Sequence, residues 1–461
     1  MNRAARGNAT CIRIAGACDL LPLAAAHPER YPALLESAAP GPSARWDILF
    51  AFPEDRVTLA PDGMVRDGSG HDCRVRFLDA LDGAWSSSGK HESGDAELPF
   101  TGGWLLYLGY ELAAEVEPSL ALPASQNSRI PVALALRCPA AILVDRIGGC
   151  TWLVAETGHE NLRDAMRRDL DAVPAEAVHE LELPPLRALQ EDEPHGFLDG
   201  VARVHEYLRA GDTFQVNLSR AWRARFDAAP APASLYGALR RANPAPFAGL
   251  LQQPGWSIAS SSPERLLQVR GGFAQTRPIA GTRPRVAGDD DAVRVAELLA
   301  HAKERAEHVM LVDLERNDLG RICVPGSVYV DEMMMVESYA HVHHIVSNVC
   351  GRLRPDVTPG QSIAAMFPGG TITGCPKVRC MEIIAELEGA ARGAYTGSLG
   401  YLSRNGHLDL NILIRTMVLE DERLTFRAGA GIVVNSDAER ELAETRAKAR
   451  GLLRALGRDG G

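Results

Sequence analysis

The sequence predicts an α+β protein with large antiparallel sheets and helices on the outside, on three observations. Short apolar runs split by Gly, Pro and Asp recur as buried strands do: WDILFAF, GGWLLYLGYEL, PVALALRCPAAILV and CTWLVAE. Later runs are joined by hairpin-length turns, SRNGHLD and LEDERL, which favours antiparallel pairing over βαβ crossovers. Between the runs lie segments of helical periodicity.

The second half reads element by element. GFLDGVARVHEYLRAGD is a helix ending near Gly211, and TFQVNLSRAWRARF is a strand. ASLYGALRRAN is helical, WSIASSSPERLLQVR strand-like, and AVRVAELLAHAKERAEHVMLVDLERNDLGR a long charged helix. AYTGSLGYLS, LDLNILIRTMVLE and RLTFRAGAGIVV follow as strands, and DAERELAETRAKARGLLRALG closes as a helix. Residues 173–194, rich in Pro and Glu, read as a linker between regions 1–172 and 195–455.

Composition narrows the function. With 461 residues, 46% hydrophobic and 23% charged, the chain has ample apolar material for a core and is not disordered or fibrous. A net charge of −10 argues against nucleic acid as a partner, so an anionic ligand would need basic groups gathered in one pocket. No apolar run of signal-peptide length opens the chain and none approaches about 20 residues, so no membrane association is expected and the cytoplasm is the expected location. Nine cysteines without CxxC spacing read as reduced, packing thiols.

Several constellations could carry chemistry. Glu304 and Glu307, and Glu441 and Glu444, are each three apart, so each pair shares a helical face. Two such faces could hold Mg²⁺ through oxygen ligands; the other reading is a solvated helix surface. FPGGTITGCPK fails as a phosphate loop, because Lys377 does not directly follow the second glycine, and GAGIVV lacks a third glycine for a dinucleotide site. Either could present bare N–H groups to a carboxylate, or simply be a tight turn. In HVHH, strand alternation puts His341 and His343 on one face and His344 on the other, a poor zinc set. Arg415 and Lys448 are single basic residues that could be ligands or structural ion-pair partners.

Taken in order, SPERLL, PIAGTRPR, KERAEHVMLVDLERNDLGR, HHIVS, GGTITGCPKVRCMEII, GSLGYL, IRT, GAGIVVNS and ETRAKAR resemble the chorismate-utilising enzymes, the synthase subunits of anthranilate and aminodeoxychorismate synthases. The resemblance covers roughly residues 195 to 452; LLESA and TGGWLLYLGYE resemble that family's N-terminal domain. It implies two antiparallel sheets packed as a sandwich with helices outside. It also implies Mg²⁺ held by Glu307 and Glu444, with Glu304 and Glu441 beside them. Arg415, Lys448, Tyr395 and the N–H groups of Gly429, Ala430 and Gly431 would hold the enolpyruvyl carboxylate of chorismate. Glu264 would be the general acid for the departing C4 hydroxyl, its pKa raised by burial beside Glu304. His344 and Thr371 would line the ring.

Gln215 stands where isochorismate and salicylate synthases carry a water-activating lysine, which a glutamine cannot replace. Ammonia is then the implied nucleophile, delivered by a separate glutamine amidotransferase subunit, since no G-x-C-x-G elbow is present. Ala280, with Thr282 in the same stretch, stands where one type of aminodeoxychorismate synthase has a nucleophilic lysine, and PIAGT is the anthranilate synthase form. NPAPF, QVNL, VHHIVS and FPGGTITG, and the PGPSARWDILFAF that follows LLESA, favour aminodeoxychorismate synthase instead. That is the expectation here; anthranilate synthase is the alternative, and a non-catalytic regulator is a third reading, opposed by the intact glutamates. Tryptophan in the N-terminal domain is left open as a further ligand.

Overall fold

The computed structural model describes residues 3–6, 9–39, 44–87, 98–125, 128–173, 182–284, 293, 296, 302–338 and 342–458; the side chains of 3–6, 282–284, 302–304 and 342 are not among those described. Among these residues the chain forms two antiparallel sheets of 13 and 11 strands. The first-half apolar runs become Trp46–Ala51, Gly103–Leu108, Ala133–Cys138, Ala140–Asp145 and Cys150–Glu156. They are buried almost throughout, which explains why they read as continuous apolar runs rather than alternating ones.

The sheets pack face to face. Between them lie Ile48, Phe50, Ile258 and Leu251 of the first and Leu105, Tyr107, Leu136 and Tyr401 of the second, with Phe100 edge-on to both Phe50 and Tyr401 at 5.0 and 5.9 Å. Helices Leu21–Ala26, Pro232–Ala242 and Ala438–Ala455 cover the outer face of the first sheet, and Phe77–Ser87, Ala302–Gly320 and Pro359–Met366 that of the second. This is the α+β sandwich expected from the sequence. The helix Pro194–Ala210 ends, as predicted, on Gly211, which takes the left-handed conformation that glycine adopts without steric cost. Both sheets draw strands from both halves of the chain, and within the stretch expected to be a linker Leu186–Glu191 pairs along Gln215–Phe226.

Three segments that read as single strands are each two, and each break is a crossing between sheets. PVALALRCPAAILV breaks at Pro139, which has no N–H for a ladder. WSIASSSPERLLQVR breaks at Pro263 and Glu264, passing from the first sheet to the second. LDLNILIRTMVLE breaks over 412–415 and passes back. The last two crossings run side by side: Ile412 N–H donates to Glu264 C=O at 3.0 Å, Ser261 N–H to Arg415 C=O at 3.1 Å, and Ser262 Oγ to Ile412 C=O at 2.5 Å.

Candidate active site

Glu264 and Arg415 therefore sit at one seam, on paired chain segments leaving opposite sheets. Glu264 is 5% exposed. Loss of water around it pushes its carboxyl up to about 7. The Thr371 hydroxyl draws the carboxyl the other way, though Thr371 Oγ1 makes no full hydrogen bond among the described residues. Ile279 N–H reaches Glu264 Oε1 at a long 3.5 Å, and Lys448 adds a weaker pull.

Ile279 begins the strand Ile279–Pro284, which pairs with Val342–Arg352 and slips register between Ala280 and Thr282. Ala280 is buried beside the residue that touches Glu264, and it has no functional group to offer. Thr282 lies on the same strand opposite His344, but its side chain is outside those described. His344 is buried, and desolvation, reinforced by Arg415 and Lys448, lowers it to about 3. It stays neutral at ordinary pH. His343 is buried too and shares a 2.7 Å hydrogen bond with Ser338 Oγ; His341 lies outside the described residues.

The opposite wall is made by two neighbouring strands of the first sheet, Gln215–Phe226 and Arg423–Ile432. Val216, Leu218, Ala430 and Ile432 pack beneath helices Pro194–Ala210 and Lys377–Glu388. Strand alternation then turns Gln215, Asn217, Gly429 and Gly431 to the other side. Two glycines there leave bare backbone: a Cβ on Gly429 would fall 2.7 Å from Tyr395 Oη and 2.8 Å from Asn217 Oδ1, and one on Gly431 2.6 Å from Gln215 Nε2. Beyond Phe426 no described strand pairs the far edge of Arg423–Ile432, so N–H groups on that edge stay available to an anion.

Lys448 Nζ donates to Gly429 C=O at 2.9 Å and pairs with Glu444 at 2.7 Å. The Arg415 guanidinium is lowered by desolvation, with Tyr395 and Glu444 opposing that shift. Arg415 and Thr396 both have positive φ, 53° and 62°, conformations that L-residues adopt at a cost and that often mark functional sites. Thr396 N–H bonds Leu413 C=O at 2.8 Å, which fixes Tyr395 beside the crossing. Shared hydrogen bonds and electrostatic coupling thus link Glu264, Thr371, His344, Tyr395, Arg415, Glu444 and Lys448 into one site.

The carboxylates proposed for metal lie on helices Ala302–Gly320 and Ala438–Ala455. Glu307 and Glu441 are half-buried and Glu444 exposed; the Glu304 side chain is outside those described. No group of three or more potential ligands converges among the described residues. The donors are all hard oxygens, which suits Mg²⁺ and not a softer metal. A broad open cleft of about 850 Å³ near Pro32, Pro53, Pro232 and Trp256 contains none of the residues expected to act.

Sequence reasoning missed three features. Glu315, 3% exposed, lies on the inner face of Ala302–Gly320; desolvation, then Asp318 and Glu264, raise its carboxyl to about 8 against the pull of Lys377. It follows Leu311 by four residues, a core-facing spacing at which an acid is out of place. Asn217 alternates with apolar Val216 and Leu218, the signal by which it could have been found. Beneath Tyr395 a buried network joins Glu388 to Arg392 and Arg427 at 2.6 and 2.8 Å, and the Arg392 guanidinium stacks over the Tyr395 ring at 5.5 Å.

No helix among the described residues is long and apolar enough to cross a membrane. The chain is 37% identical over 446 residues to aminodeoxychorismate synthase component 1 of Bacillus subtilis, covering 94% of this chain and 93% of that one. It is 43% identical over 362 residues to an anthranilate synthase component I-like protein of Synechocystis, covering 78% and 73%. The crystal structure of anthranilate synthase component I from Streptococcus pneumoniae superimposes with a TM-score of 0.80 at 33% identity, over 90% of this chain and 93% of that chain. The model of chorismate binding enzymes matches residues 43–454, and on this evidence the chain belongs to that family.

Proposed function

We propose that this chain aminates chorismate with ammonia from a separate glutamine amidotransferase subunit, giving 4-amino-4-deoxychorismate for 4-aminobenzoate and folate synthesis. The observation that carries the reading is Glu264, a buried carboxyl with no ion-pair partner among the described residues, pushed up to about 7 by burial at the seam of the two sheets. Such a group can protonate a departing hydroxyl, which leaves as water, and a fully paired carboxylate could not. Tyr395, Arg415 and the backbone of Gly429, Ala430 and Gly431 hold the enolpyruvyl carboxylate, with Lys448 beside them. Neutral His344 and Thr371 line the ring. Glu304, Glu307, Glu441 and Glu444 would hold Mg²⁺, which when bound offsets the charge of the other carboxylate.

The choice of product rests on Asn217 at the wall of the site and on the near full-length likeness to the Bacillus subtilis aminodeoxychorismate synthase component. Ala280 favours the second reading, anthranilate synthase, because it cannot act as a nucleophile. The test is product analysis with chorismate, Mg²⁺ and high ammonium at mildly alkaline pH, with and without aminodeoxychorismate lyase. A product that becomes 4-aminobenzoate only with the lyase is expected. Fluorescent anthranilate formed without it would overturn the assignment.

A further inference from the structure

The stretch TGGWLLYLGYE, distant in sequence from every residue assigned to the site, ends against the segment that carries Tyr395. Its strand Gly103–Leu108 pairs with Ser398–Ser403, and the short 3₁₀ turn Tyr110–Leu112 follows directly. There Glu111 accepts Arg392 N–H at 2.8 Å through Oε1 and Gly393 N–H at 3.1 Å through Oε2, while Tyr110 N–H donates to Gly393 C=O at 2.8 Å. These bonds clamp the backbone of residues 392 and 393 from one side. The approach is close, since a Cβ on Gly397 would fall 2.2 Å from Leu108 C=O.

The clamp continues into side chains. The Arg392 guanidinium lies over the Tyr110 ring at 5.0 Å and over the Tyr395 ring at 5.5 Å, and Glu388 holds it at 2.6 Å. Tyr395 N–H donates to Arg392 C=O at 3.1 Å, and the Tyr395 hydroxyl reaches the glycine backbone at Gly429. With the guanidinium fixed by Glu388, the backbone bonds to Glu111 set how the chain from 392 to 395 is placed. A carboxylate accepting backbone N–H bonds is about twice as strong a partner as a neutral acceptor, so the placement is firm. Firmness matters at Tyr395, because a displacement of about 1 Å at a substrate-holding group costs affinity or rate.

We infer that Glu111 is a positioning residue for chorismate: by clamping the backbone of Arg392 and Gly393 it sets where the Tyr395 hydroxyl meets the substrate carboxylate. The inference rests on the reading above that Tyr395 holds the enolpyruvyl carboxylate, and adds to it that a residue of the first half of the chain governs that contact. Glu111 acts through Tyr395, which binds substrate and transition state alike, so its loss weakens both equally.

Steady-state kinetics of chorismate consumption, with Mg²⁺ and ammonium held in excess, test it. Glu111→Ala is expected to raise the KM for chorismate about tenfold with kcat within about threefold of wild type, the pattern of lost uniform binding. Glu111→Gln keeps an acceptor oxygen in place and should return the KM to within about threefold of wild type. Glu111→Asp keeps the charge but falls short by one methylene; it should raise the KM about threefold, and it serves where the alanine variant does not fold. A merely structural role would lower the active fraction, and with it the apparent kcat, at unchanged KM, which would overturn the proposal. Tyr395→Phe separates the proposal from the reading beneath it. Alone it should raise the chorismate KM; combined with the change at Glu111 the two rises should not add, because both act at one contact. Additive rises, or a KM raised by Tyr395→Phe and by no change at Glu111, overturn the inference and leave the Tyr395 reading standing. An unchanged KM in Tyr395→Phe sinks both.

Discussion

Two buried carboxyls lie within the same site region and are treated in opposite ways. Glu264 is almost wholly enclosed, meets one long backbone N–H, and is pushed up to about 7. Glu388 is enclosed as completely, and desolvation pushes it up too, but Arg392 and Arg427 outweigh that and hold it below the usual carboxylate range. Ser219 adds its N–H and hydroxyl at 2.9 and 2.8 Å. Burial alone therefore does not decide protonation here; the supply of donors does. The carboxyl without an ion-pair partner among the described residues can be an acid, whereas the paired one can only be structure, anchoring Arg392 under Tyr395.

The comparison breaks most completely at Glu264. Glu264→Gln keeps the shape and removes the proton, so turnover should fall by about 10²–10⁴ while the circular dichroism spectrum is unchanged. Because the acid must be protonated to act, wild-type kcat should decline as pH rises through about 7, and the variant's residual rate should lack that limb. A variant with near wild-type rate would remove the acid role.

On the other side, Arg392→Met leaves Glu388 enclosed with Arg427 as its one remaining cation among the described residues. Breaking a buried pair costs about 3–5 kcal/mol, and the remaining arginine should keep the loss towards the lower end. Urea denaturation measures it, and a loss below about 1 kcal/mol would mean that the network relaxes without its central cation.

Glu315 sharpens the same contrast through pH. Its folded carboxyl is raised to about 8 from an unfolded value of 4.5, so between those values the folded chain binds a proton that the unfolded chain has lost. Its contribution is fully present below pH 4.5 and is lost as pH rises towards 8, with Glu264 adding in the same direction. Glu315→Gln should therefore gain on wild type as pH rises from 5 to 8, by about 1–3 kcal/mol. Thermal melts across that range check the slope, and parallel curves would show that Glu315 ionises as freely folded as unfolded.

Much of this was legible in the residues, and the parts that were not share a cause. Strand positions were read from apolar runs because both faces of those strands are covered. The crossings at Pro139, Glu264 and 412–415 were hidden, since the chain stays largely buried as it leaves one sheet for the other. The motifs named Glu264, His344, Tyr395, Arg415 and Lys448, and the fold brings these residues close enough to shift one another's pKa values. Burial of Glu264 was expected to act beside Glu304; among the described residues the carboxyl coupled to it is Glu315. Glu388 and Arg392 were invisible for a different reason: Arg392 also bonds Asn217 C=O and Ile372 C=O, partners 175 and 20 residues away. No local pattern encodes such a meeting.

The smallest change separates the two carboxyls most finely. Ser219→Ala deletes one donor to Glu388 Oε1, yet that oxygen still accepts from Ser219 N–H at 2.9 Å and from Arg392 at 2.6 Å. Arg427 Nε loses its 3.0 Å bond to Ser219 Oγ and keeps its pair with Glu388. Neither charge is orphaned, so the cost should be that of one ordinary hydrogen bond, about 0.5–1.5 kcal/mol in denaturant melts, with no change in kcat. A loss above about 3 kcal/mol would mean that the hydroxyl is what keeps Glu388 ionised. The donors would then act as one cooperative unit, and the difference from Glu264 would rest on a single serine.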